Sequence, residues 1–108
     1  MEGFWTVQFS GVQGWGAGVI ALIGGKVFGG DSGFLYIGTY AVQGAIMTGH
    51  VHVKRHATGM PNVMGRDEFD LELNGTIKGN IISVIAKIPG TPLQLSGTMT
   101  RQADLPTK

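Results

Sequence analysis

Asp67-Glu68-Phe69-Asp70-Leu71-Glu72-Leu73-Asn74-Gly75-Thr76-Ile77 decides the fold of this chain. Phe69, Leu71, Leu73, Gly75 and Ile77 are apolar or glycine, and Glu68, Asp70, Glu72, Asn74 and Thr76 between them are all polar. Side chains alternate faces along a strand with a period of two, so the segment has one dry face and one wet face. Helical spacing would instead scatter its acidic residues around the whole cylinder. A strand wetted on one side belongs in an antiparallel sheet around a single core, not in a buried parallel sheet.

Downstream, Lys78-Gly79-Asn80 reads as a turn into a strand over 81–88, and Pro89-Gly90-Thr91-Pro92 separates that strand from a last one over 93–102. The last strand alternates cleanly, with Leu93, Leu95, Gly97 and Met99 on one face. Upstream, 58–66 is the longest loop, where Pro61 cannot donate to a ladder. Before it runs a long strand over 45–56, expected to face Met47, Gly49, Val51 and Val53 inward and Thr48, His50, His52 and Lys54 outward. Shorter strands are expected over 3–10, 16–23, 26–28 and 34–42. Gly24-Gly25 suits a two-residue hairpin turn, which needs positive φ. About eight short strands with short turns and no helix read as an all-β, antiparallel up-and-down barrel over 1–102 with a tail at 103–108. A barrel of this size is either filled by its own side chains or holds one small ligand.

The 108 residues suffice for one domain with a core. Nineteen glycines without a triplet repeat point to tight turns and to bends where strands curve. Eight Lys and Arg balance seven Asp and Glu, and no basic stripe stands out, so no direct contact with nucleic acid is expected. The chain has no cysteine, which excludes disulfides and thiolate metal sites. Apolar runs stop at about seven or eight residues, far short of the ~20 that span a bilayer as a helix. Met1-Glu2 opens without a basic leader. A cytoplasmic protein with no membrane contact is expected.

Gly30-Asp31-Ser32-Gly33 superficially matches the nucleophile loop of a chymotrypsin-like protease, but that chemistry needs a His base, a buried Asp and an oxyanion hole on a larger scaffold. Gly and Asp between two strands are ordinary turn formers, and a turn is expected. His50, His52 and His56 share one face of the long strand; with Thr48 and Lys54 beside them they read as a polar outer face and not as a zinc site. Glu68, Asp70 and Glu72 read as a solvated row. No catalytic residue, metal or cofactor is expected. Trp5, Phe9, Phe69, Leu71 and Met99 are bulky inward candidates around any ligand cavity. Ile20, Leu22, Leu35, Ile37, Ile81 and Ile85 lie opposite the other apolar sets of their strands, so either a symmetric partner covers the barrel wall or the long loop folds over it. A homodimer is expected, with Ile20, Leu22, Leu35 and Ile37 on the contact surface. Met60 and Met64, with adaptable side chains, and His50 and His52 complete a candidate protein-contact surface.

Gly3-Phe4-Trp5 resembles the Gly-x-Trp opening of lipocalin-like barrels. Gly29-Gly30-Asp31-Ser32-Gly33-Phe34-Leu35-Tyr36-Ile37-Gly38-Thr39-Tyr40, His50-Val51-His52-Val53, Pro61-Asn62-Val63 and the strand from Asp67 resemble, in that order, the GrlR family. That family is named for a negative regulator of a type III secretion gene locus. The resemblance implies a lipocalin-like barrel that dimerises and works by binding a protein; the founding regulator sequesters a transcriptional activator. Its activity is tied to an acidic Glu-Asp-Glu-Asp turn before the His-Val-His strand, whereas the corresponding turn here is Ala41-Val42-Gln43-Gly44. The expected function is therefore a non-catalytic regulatory protein acting through protein–protein contacts, such as a negative regulator that binds a transcriptional activator. The alternative is a carrier or sensor of a small apolar ligand.

Overall fold

Strands form where the alternation places them. In the computed structural model, which describes residues 1–11, 14–59 and 66–106, they are β1 (Gly3–Gly11), β2 (Gly14–Ile23), β3 (Lys26–Gly30), β4 (Phe34–Gln43), β5 (Ile46–Arg55), β6 (Glu68–Lys78), β7 (Ile81–Lys87) and β8 (Gln94–Ala103). Each pairs antiparallel with the next, and β1 closes on β8 to complete an eight-stranded barrel. Gly24 and Gly25 join β2 to β3 with φ of 56° and 80°, the doubly positive turn whose twist suits a two-residue hairpin. The Met60 and Met64 surface expected from the sequence lies outside the described residues.

Register settles which side of each doubly apolar strand is the core. Gly3, Trp5, Val7 and Phe9 of β1 stand opposite Leu22, Ile20, Gly18 and Gly16 of β2. Residues directly opposite share a face, so the inward row of β1 pulls Ile20 and Leu22 inward with it. Both are buried, which corrects their expected place on a protein-contact surface. Val19 and Ile23 take the outer face instead. On β4 the expectation holds: Phe34 and Tyr36 are buried while Leu35 and Ile37 are exposed.

The five largest completely buried side chains are Trp5, Leu22, Val27, Met47 and Ile82. Leu22 and Val27 flank the β2–β3 turn, Met47 follows the β4–β5 turn and Ile82 follows the β6–β7 turn, so they pack one end of the barrel. Gly75 makes room there: a methyl on it would lie 2.8 Å from Ile82 Cγ2 and 3.4 Å from Met47 Cε. The N-terminal residues fasten to the same end. Trp5 Nε1 donates to the Met1 carbonyl (3.3 Å), Gly24 N to the Glu2 carboxylate (2.5 Å) and Arg101 to the Glu2 carbonyl (2.7 Å). Burying each of these aliphatic side chains is worth about 1.5–3 kcal/mol, so this end carries much of the stability.

Candidate ligand-binding cavity

The opposite half of the barrel is hollow. A cavity of about 470 Å³ opens at the end where β1 finishes, β2 begins and the β3–β4 and β7–β8 turns lie. Its walls are inward residues of several strands, among them Phe9, Val53, Phe69, Leu71, Leu95 and Met99. Four of the five residues expected around a cavity from the sequence, Phe9, Phe69, Leu71 and Met99, do line it. Trp5 does not; it is buried in the packed end, where its indole N–H is spent on Met1.

Glycines on β2 give the cavity its aromatic wall. A methyl on Gly16 would lie 2.8 Å from Phe9 Cε2, and one on Gly18 would lie 2.9 Å from the Tyr36 hydroxyl, so each ring lies over a bare stretch of strand. The two rings meet edge to face, 6.4 Å apart at 78°, a preferred geometry for aromatic pairs. Trp15 stands at the mouth, 76% exposed, beside the cavity it helps to line.

The polar part of the wall is built by the turn over 31–33. Asp31 Oδ1 accepts the backbone N–H groups of Gly33 (2.9 Å) and Phe34 (2.8 Å), while Oδ2 accepts the Tyr36 hydroxyl. Burial, and then the adjoining Asp31 carboxylate, hold the Tyr36 phenol far above its ordinary range, so it stays protonated. The Gly30-Asp31-Ser32-Gly33 segment is thus a side-chain-capped turn, as expected from the sequence. Ser32 is exposed, and His56 Nε2 faces the Asp31 carbonyl oxygen (3.0 Å) and not the serine. The Asp31–Tyr36 pair itself was missed. Its signal was an Asp opening a turn with an inward Tyr five residues on.

Outside the barrel, β5 and β6 bring the histidine and acidic rows together. His52 Nδ1 lies 2.8 Å from Asp70 Oδ1 and its Nε2 lies 2.6 Å from Glu68 Oε2, while His50 is 3.9 Å from Glu72. Carboxylates absent from the histidines' own strand come from the next one. Among the described residues no group of three or more His, Asp and Glu is arranged to hold a metal ion. The hydrogen bonds to Asp70 and then to Glu68 raise the His52 pKa above 6.5. Protonated His52 donates to both carboxylates, so its contribution to stability is complete below about pH 6.5 and disappears as the pH rises through the raised native value. Exposure of all three side chains holds the effect to about 0.5 kcal/mol. Urea unfolding is expected to show wild type losing that much relative to His52→Ala between pH 6 and pH 9; parallel pH dependences would remove His52 from the account.

A second surface runs across the outer wall. Phe4, Ala21, Phe28 and Ile37 stand successively opposite one another on β1 to β4, and the row meets His52 and Asp70 on β5 and β6. Phe28 is 46% and Ile37 51% exposed. Compared with known proteins, the chain matches no family model and no curated protein.

Proposed function

We propose that this protein is a non-catalytic carrier or sensor that holds a small apolar ligand in the open half of its barrel. The observation behind this is the cavity of about 470 Å³, walled by apolar and aromatic side chains and open at one end. Small-molecule sites are typically concave, mostly apolar and on the order of 300–1,000 Å³, with few polar groups to orient the ligand. The packed end supports the same reading, because it holds the fold without the hollow half having to collapse.

The exposed apolar row through Phe28 and Ile37 favours a second role, protein–protein contact, with a homodimer formed across it. This is the role that the resemblance to GrlR regulators implies, and it is compatible with a ligand inside. A regulator whose partner contacts respond to ligand would use both surfaces.

Native mass spectrometry of the protein purified from cells tests both roles. The expected spectrum is a dimer carrying a few hundred daltons of non-covalent excess per subunit, with Leu35→Asp/Ile37→Asp converting the dimer to monomer. Bare subunits, both as purified and after incubation with apolar small molecules, would overturn the ligand reading. A dimer indifferent to the double substitution would remove the outer row as its interface.

A further inference from the structure

We infer that the cavity selects ligands whose apolar body ends in a hydrogen-bond donor, a hydroxyl or an amino group, and discriminates against carboxylates of the same shape. The inference rests on the proposed ligand-binding role. Among the described residues lining the cavity, Asp31 is the one carboxylate, and Lys, Arg and His are not represented. On the inner side of the β3–β4 turn the polar side chains are Asp31 and Tyr36, and their donors are already committed, while the other side-chain donors of the lining, the exposed Ser32 hydroxyl and the Trp15 indole N–H, belong to the mouth. The Gly33 and Phe34 N–H groups both point to Asp31 Oδ1, and the Tyr36 hydroxyl donates to Oδ2.

What this pair leaves for a ligand is acceptor capacity: the lone pairs of the Tyr36 oxygen and the unfilled site on Asp31 Oδ2. A ligand hydroxyl or ammonium can donate there. A ligand carboxylate would bring a second negative charge beside Asp31 with no uncommitted donor on the Asp31–Tyr36 pair to receive it, and like charges in a partly buried site repel strongly. Nearby cations do not change the balance. Arg55 lies over the Phe34 ring with its guanidinium carbon 4.6 Å from the centroid, and it bonds Asp67 and the Ala57 carbonyl. His56 faces the backbone of Asp31.

Titration calorimetry at pH 7.5 with decan-1-ol, decylamine and decanoate tests this, because the three share a chain and differ in the head. Decanol and decylamine are expected to bind at least about tenfold more tightly than decanoate, the scale of one lost hydrogen bond to a charged group plus repulsion. Asp31→Asn keeps an oxygen for the Gly33 and Phe34 N–H groups and removes the charge, so the preference for amine over carboxylate should collapse. Tyr36→Phe keeps the ring against Phe9 and should weaken the alcohol without admitting the carboxylate. Decanoate binding as tightly as decanol in the wild type would overturn donor selection and leave the ligand-binding role intact. No binding of any of the three, with no ligand found by native mass spectrometry, would overturn both.

Discussion

Gly38→Ala is expected to destabilise the barrel by about 3 kcal/mol or more, as large as overpacking in a close-fitted wall becomes. Gly38 stands between Val27 of β3 and Val51 of β5. A Cβ added to it would overlap the carbonyl oxygen of His50 and lie 2.8 Å from the Val51 Cα. Both atoms are backbone, so relief requires the two strands to part. The neighbouring wall repeats the arrangement, since a Cβ on Gly29 would overlap the Val19 carbonyl oxygen. Glycine at both points lets the sheet curl tightly enough to close, a recognised use of glycine at barrel bends. Gly79→Ala separates this from simple conformational strain. Gly79 has φ of 60° and nothing within 4 Å of an added methyl, so the cost there is about 1 kcal/mol. At about 4–8 °C per kcal/mol, circular-dichroism melts should show a drop in Tm several times larger for Gly38→Ala. Equal drops would mean that the wall yields at Gly38 and that its close approach is not needed for closure.

The alternation around Leu71 was enough to establish a one-sided strand, and the turn glycines divided the chain into eight. These signals were legible because each is local. Which face of β2 is the core was also present in the sequence, but through a longer step. A two-residue turn at Gly24-Gly25 pairs Ile23 with Lys26. A lysine on the outer face places Ile23 outside and Leu22 and Ile20 inside, and counting apolar residues strand by strand overlooked it. The His52 contacts required pairing β5 with β6 in register, which the long stretch of sequence between Arg55 and Glu68 does not define as a two-residue turn would. Whether half of the barrel is filled or hollow was not legible, although Phe9, Phe69, Leu71 and Met99 of its lining were. Phe9, Phe69 and Met99 are at least as bulky as Met47, and whether such side chains meet or leave space depends on how far each strand is staggered along the barrel. The Asp31–Tyr36 acceptor pair had a similar origin: it needed the positions of Asp31 and Tyr36 together, not their identities.

Two truncations of similar chemistry should differ in cost according to the half of the barrel they touch. Ile82→Ala is expected to cost about 4 kcal/mol and Leu71→Ala about 2 kcal/mol, towards opposite ends of the range for large-to-alanine changes in cores. Ile82 is 0% exposed among Met47, Val84 and the bare face of Gly75, so removing its side chain opens a void between well-packed neighbours. Leu71 is 7% exposed and already borders the cavity, so part of its surface has no partner atoms to lose. Urea unfolding monitored by fluorescence gives the comparison through the midpoints, provided the slopes agree. Saturating ligand should widen the stability difference between wild type and Leu71→Ala if truncation weakens ligand binding, because a ligand stabilises the native state according to its affinity. The corresponding difference for Ile82→Ala should change little, since Ile82 lies away from the cavity wall. Equal costs without ligand would indicate that the hollow half is as tightly packed in solution as the closed end, and the ligand-binding role would lose its physical basis.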